Sequence, residues 1–254
     1  MPAPTLVAGA PCWNDLYSSD PDRAAAFYGD LFGWTTLDPG PDYGGYRLFQ
    51  KDGKVVAGMM QNEGEQNVPD MWTVYLTTDD VDRTAEAAKA NGGQVFMEPM
   101  DVTQNGRFAM LADPGGAPIG AWQPREVHGF EIRGEPGAPS WFELQTRDYD
   151  RSVGFYREVF GWDTHTASDS DELRYTTLGE GESMQAWIMD ASAYQPEGEP
   201  GAWSIYFQVD DVDATVARAA EIGGAVIDQP VDTPYGRLAT LADPTGTRFK
   251  LIQN

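Results

Sequence analysis

Residues 13–34 return nearly intact 128 positions further along, and this repeat limits the possible folds more than any other feature of the chain. The first copy reads Trp13-Asn14-Asp15-Leu16-Tyr17, then Phe27-Tyr28 and Phe32-Gly33-Trp34. The second reads Trp141-Phe142-Glu143-Leu144-Gln145, then Phe155-Tyr156 and Phe160-Gly161-Trp162. Residues 72–82 match 203–213 at an offset of 131, and 106–114 match 236–244 at 130. Three blocks in one order at nearly one spacing describe a duplicated domain. Each copy also repeats within itself. Asp20-x-Asp22 with Gly33 returns as Asp80-x-Asp82 with Gly93, and Asp148-x-Asp150 with Gly161 as Asp211-x-Asp213 with Gly224. The chain is thus four quarters of roughly 60 residues each.

A length of 254 residues divides into two ordinary domains, each large enough to bury a core of its own. The expected limits are 1–124 and 140–254, with 125–139, rich in proline and glycine, as the linker. The formal charge of -23, from 40 acidic against 17 basic residues, opposes nucleic acid and anionic membranes, because phosphate would be repelled. The single Cys12 excludes an internal disulfide. No basic and apolar leader opens the chain and no apolar run reaches the ~18 residues of a membrane span, so a cytoplasmic protein is expected. His128 and His165 are the only histidines. A metal site would therefore need to be almost entirely carboxylate.

Residues 13–17 alternate as a strand does, with Trp13, Asp15 and Tyr17 on one face and Asn14 and Leu16 on the other. Ser19-Asp20-Pro21-Asp22 then caps a helix, whose stripe Phe27/Leu31 and Tyr28/Phe32 ends at Gly33. Three short strands follow, and the next quarter repeats the order. Each helix covers one face of its sheet, so strand positions alternating with Leu16, Val74, Leu76, Ile119 and Ala121 point to the other side. In copy one these are Trp13, Asp15, Tyr17, Thr73, Tyr75, Thr77, Gly120 and Trp122. In copy two they are Trp141, Glu143, Gln145, Ser204, Tyr206, Gln208, Lys250 and Ile252. Such a lining of rings with a few polar groups suits a small-molecule site, and Asp15 and Glu143 are costly to bury without a purpose or a partner.

Four βαβββ quarters, an F-Y-x-x-(L/V)-F-G-W block after the first strand of each copy and L-A-D-P-x-G before the last resemble the vicinal oxygen chelate superfamily. That group contains glyoxalase I, bleomycin-resistance proteins and extradiol dioxygenases, and the closest likeness is to its two-domain actinobacterial glyoxalase-like branch. The resemblance implies an α+β fold, with mixed sheets curled into cups. Metal-using relatives take His, Gln or Glu ligands from the first and last strands of each quarter. Carried over, those positions fall on Trp13, near Gly58, on Thr73 and Gly120, and in copy two on Trp141, near Ala186, on Ser204 and Lys250. None completes a ligand set, so no metal or other cofactor is expected.

The expectation that follows is a metal-independent protein, monomer or homodimer, binding a small aromatic or apolar molecule in natural-product metabolism or resistance. Trp13, Tyr17, Tyr75, Trp122, Trp141, Gln145, Tyr206 and Lys250 would contact the ligand. Arg107 and Arg237 would either close the mouths of the cups or tie down the turns at Asp113 and Asp243. The alternative is a cofactor-free tailoring enzyme, in which Asp15 or Glu143 moves protons because an enclosed carboxyl is shifted towards working pH. Asp15 is the better candidate, since Glu143 has Lys250 to pair with. A metal-dependent lyase or dioxygenase is the third reading, and one copy merely buttressing the other is a further one.

Overall fold

A computed structural model describes residues 7–64, 68–170 and 173–254. The first quarter comprises β1 (Pro11–Ser18), α1 (Pro21–Phe32), β2 (Thr35–Leu37), β3 (Arg47–Lys51) and β4 (Lys54–Gln61). The second comprises β5 (Met71–Thr77), α2 (Val81–Ala90), β6 (Gln94–Val102), β7 (Gly106–Ala112) and β8 (Pro118–Pro124). Copy two begins with β9 (Pro139–Thr146), α3 (Tyr149–Phe160), β10 (Thr164–Asp169), β11 (Arg174–Leu178) and β12 (Ala186–Asp190). It ends with β13 (Ala202–Gln208), α4 (Val212–Glu221), β14 (Ala225–Thr233), β15 (Gly236–Ala242) and β16 (Arg248–Gln253). All four quarters keep the expected order of strand, helix and three strands.

Each copy makes one open sheet of eight strands. The orders, β2-β3-β4-β1-β5-β8-β7-β6 and β10-β11-β12-β9-β13-β16-β15-β14, are the same path traced twice. β1 runs parallel to β4 and antiparallel to β5, so the two quarters of a copy meet at their first strands in an α+β fold with mixed sheets. The helices start where the sequence places them. Asp20 accepts the Arg23 amide at 3.1 Å, Pro21 occupies the first turn, and Gly33 ends α1 at φ 72°. Asp80 and Asp211 cap α2 and α4 in the same way.

The core departs from the expectation that each copy buries its own. Leu16, Val74, Leu76, Ile119 and Ala121 are fully buried on the helix side, and they join one cluster that runs through both copies. Phe32 of α1 packs on Phe207 of β13 at 5.2 Å between ring centres, and Phe27 on Phe249 of β16 at 6.1 Å. The reason is that the aromatic stripes of α1 and α3 extend beyond their own sheets. Phe27 fills the space beside Gly224 after α4, and Phe155 the space beside Gly93 after α2.

Polar contacts across this joint are reciprocal. The Trp34 indole donates to the Gly137 carbonyl at 2.6 Å, and Trp162 to Gly9 at 2.9 Å. Tyr28 donates to Asp243 at 3.1 Å while receiving the Trp72 indole at 3.0 Å. Tyr156 receives Trp203 at 2.9 Å and lies beside Asp113, which also accepts from Ser152 at 3.0 Å. The connection between copies is likewise packed and is no loose tether. Phe130 and Ile132 are buried, and the Phe130 ring lies between Trp13 at 5.9 Å and Phe142 at 5.8 Å.

Candidate functional site

With the helices on one side, Trp13, Asp15 and Tyr17 emerge together on the other, partly open face of β1. Pairing between strands sets their neighbours. Asp15 stands opposite Gly58 of β4 and Thr73 of β5, and Tyr75 stands opposite Gly120 of β8. Glycine at both places leaves holes that tyrosines fill. A Cβ on Gly58 would lie 1.8 Å from the Tyr46 hydroxyl oxygen and 2.2 Å from Asp15 Oδ1, and one on Gly120 would lie 2.0 Å from the Tyr75 ring.

Asp15 is the hub of this first cup. Its Oδ1 accepts the Tyr46 hydroxyl at 2.6 Å and the Trp13 indole N–H at 2.8 Å, and that indole also reaches Tyr46 at 3.0 Å. Enclosure among rings pushes the Asp15 carboxyl above the ordinary carboxylate range, and hydrogen bonds from Tyr46, Tyr75 and Trp13 pull it only partly back. The hydroxyls of Tyr46 and Tyr75 are raised well above their usual range, by burial first and then by the charge of Asp15. Both therefore remain donors at neutral pH. Tyr17 and Trp122 lie on the same face, with Trp122 over Gly106 and its N–H given to the Val127 carbonyl at 2.9 Å.

The second cup has the same frame and different contents. Trp187 of β12 occupies the place of Gly58, opposite Glu143, and Lys250 of β16 that of Gly120, opposite Tyr206. The fourth-strand position is therefore Trp187 and not the neighbouring Ala186. Glu143 is buried and is held by Tyr206, Gln145 and the Lys250 ammonium at 3.2 Å. Burial opposes its charge, but Lys250 and these donors outweigh it and hold the carboxyl below its usual range. Trp187 stacks on Trp141 at 5.3 Å and packs on Tyr206 and Tyr235. Its own side chains thus occupy much of this cup.

Arg107 and Arg237 are not brought to either cup. Each lies on the helix side of its strand, in line with buried Ala109 and Leu111 or Ala239 and Leu241, and pairs with an acid in the first turn of a helix, Asp82 of α2 and Asp213 of α4. Nor do they hold the turns at Asp113 and Asp243, which face the joint between copies. Tyr46 is the main residue that reading the strands misses, because it lies in a loop. Its one signal is that it stands 129 residues before Tyr175, each just ahead of the third strand of its copy or at its start.

The donors do not fit a divalent ion. A hard cation needs several oxygen ligands. The first cup offers one carboxyl, already accepting two hydrogen bonds on one oxygen, with tyrosines in the spaces over its two glycines. In the second cup the carboxylate is neutralised by Lys250. Among the described residues no three His, Cys, Asp or Glu side chains converge.

Known proteins agree with this frame. The model of the Glyoxalase/Bleomycin resistance protein/Dioxygenase superfamily matches residues 11–120 and 138–251. The anthracycline biosynthesis protein DauV of Streptomyces sp. (strain C5) is 39% identical over 98% of this chain and 94% of its own length. A putative glyoxylase, CFP32, of Mycobacterium tuberculosis is 37% identical over 96% and 95%. The crystal structure of a Mn(II)-bound glyoxalase from Novosphingobium aromaticivorans shares the fold, with a TM-score of 0.68 at 16% identity over 97% of this chain and 82% of that one. Duplicated quarters, matching sheet paths and both matched segments place the chain in the Glyoxalase/Bleomycin resistance protein/Dioxygenase superfamily.

Proposed function

We propose that this protein binds a small aromatic molecule in its first cup without a metal ion and serves natural-product metabolism. The observation that carries the reading is the replacement of side chains by glycine at positions 58 and 120, with Tyr46 and Tyr75 in the vacated space and Asp15 between them. Trp13, Tyr17 and Trp122 supply ring surface and Asp15 with its tyrosines supplies orientation, the usual division of labour in such a site. The named role of DauV in anthracycline biosynthesis supports a fused-ring, oxygenated ligand. The second cup, with its carboxylate neutralised and its space taken by Trp187, is a support for the first.

A second reading is favoured by the raised carboxyl of Asp15: a tailoring enzyme in which Asp15 accepts or returns a proton. A carboxyl raised above its ordinary range by enclosure among rings suits that task. Titration with hydroxylated anthraquinones, followed by tryptophan fluorescence in the presence of a chelator, tests the binding proposal. Quenching that is saturable and weakened about tenfold or more by Trp13→Ala is expected, since removing a stacked ring from a dry site costs ~1–3 kcal/mol. Binding lost on chelation and restored by a divalent ion would overturn it. Asp15→Asn separates the readings, because it preserves binding and abolishes turnover only if the carboxyl transfers protons.

A further inference from the structure

Tyr46 reaches Asp15 from a segment whose construction suggests movement. Between β2 and β3 the chain passes Pro39-Gly40-Pro41, a single 3-10 turn at Pro41–Tyr43, and Gly44-Gly45. Gly40, Gly44 and Gly45 have φ of 117°, 60° and 82°, and a Cβ on any of them would meet nothing within 4 Å. Packing does not demand these glycines, whereas the backbone does.

The tip of the segment crosses the mouth of the cup. β3 and β7 lie far apart in the sheet order, yet the Tyr43 hydroxyl sits 3.3 Å from Thr103 Oγ1 and accepts from Asn105 Nδ2 at 3.2 Å. Thr103 is held at φ 47° in the turn between β6 and β7, a conformation that costs a β-branched residue energy and is tolerated where its surroundings require it. Copy two closes the same gap differently. Its Tyr175, the counterpart of Tyr46, bonds to Tyr235 and leaves Glu143 to Tyr206, Gln145 and Lys250.

We propose that residues 39–46 form a hinged flap over the first cup, latched at Tyr43 to the turn between β6 and β7, and that the flap carries Tyr46 as the positioning residue of Asp15. This rests on the reading of the first cup as the ligand site. When the latch is closed, Tyr46 shields Asp15 from water and donates to it. When it opens, the cup admits its ligand and Asp15 regains water in place of the tyrosine. The groups facing Asp15 are Trp13 on its own strand, Gly58 on β4, Thr73 and Tyr75 on β5, and Tyr46 on the flap. Among the described residues no cation pairs with Asp15, so movement of the flap is the main change its charge feels.

The test needs no ligand, so its failure is distinct from failure of the binding proposal. The full chain is labelled with 15N-indole tryptophan, the Trp13 N–H resonance is assigned with Trp13→Phe, and its shift is followed from pH 4 to 9. An inflection above the ordinary carboxylate range, absent in Asp15→Asn, is expected. Tyr46→Phe removes a donor under a closed flap and moves the midpoint up by about half to one pH unit. Tyr43→Phe touches Asp15 nowhere, yet it lets water in and moves the midpoint down, and Asn105→Ala breaks the latch from the other side with the same result. A midpoint unmoved or raised in both latch variants overturns the flap, and one unmoved by Tyr46→Phe overturns the positioning role. An inflection that persists in Asp15→Asn overturns the pairing of Trp13 with Asp15 from which both follow.

Discussion

Gly58 holds the position in the first cup least able to accept a side chain. A methyl group there would have to displace either the Tyr46 hydroxyl or Asp15 Oδ1, and both are fixed by other bonds. Gly58→Ala is therefore expected to cost about 1–3 kcal/mol of stability in denaturant unfolding, as overpacking does in a tight site. An unchanged midpoint would mean that the closure of Tyr46 onto Asp15 adds nothing to the stability of the fold. Strand alternation alone suffices to put Trp13 and Asp15 on one face, because a period of two needs no knowledge of distant strands. The same rule places Trp141 and Glu143 together, whereas Lys250 joins them through the pairing of β16 with β13 and of β13 with β9. It is blind to Tyr46, whose direction is set by a loop, and to the exchange of Gly58 for Trp187, which becomes visible only when the pairing of β12 with β9 is known.

At the scale of elements, the motifs that repeat most faithfully serve the joint and not the cups. Phe27-Tyr28 and Phe155-Tyr156, Trp34 and Trp162, Asp113 and Asp243 are the residues that make the family legible. Each reaches into the opposite copy, Trp34 through Phe207. The cup residues, by contrast, differ between copies, as expected if only one of them binds. Asp113 gives the joint a pH dependence. Burial, its largest influence, pushes this carboxyl up to about 6 from an ordinary 3.8, and bonds from Ala117 and Ser152 offset part of that. Folded protein thus keeps a proton that the unfolded chain releases between pH 3.8 and about 6. Lowering the pH from 7 to 5 is expected to stabilise the joint, with a full contribution of the order of 3 kcal/mol below that window and none gained above it. Asp113→Asn should flatten this slope in urea titrations at successive pH values. A slope identical to that of the unaltered protein would place the effect elsewhere among the many acids.

For the whole molecule, the shared core makes the duplicated domains one folding unit. Residues 1–137 alone would expose Phe27, Phe32 and Trp34, which pack on copy two through Phe249 and Phe207. Calorimetry of the full chain should accordingly show one transition, with the isolated first copy aggregating or melting at much lower temperature. Two separated transitions would contradict a common core. The repeat in the sequence predicts the two copies and their sheets, but nothing in it says that their helix stripes are completed by each other. That follows from Gly93 and Gly224, whose missing side chains admit Phe155 and Phe27 from the other copy.

The claim on which function turns is that tyrosines stand in the first cup where a metal-binding relative would need ligands. Its most direct test is the metal content of protein purified without chelator from cells grown with manganese, iron, nickel and zinc, measured by plasma mass spectrometry beside Asp15→Asn. The expected result is far less than one ion per chain in both, with hydroxyanthraquinone binding intact. A stoichiometric ion in the unaltered protein that disappears in Asp15→Asn would contradict it.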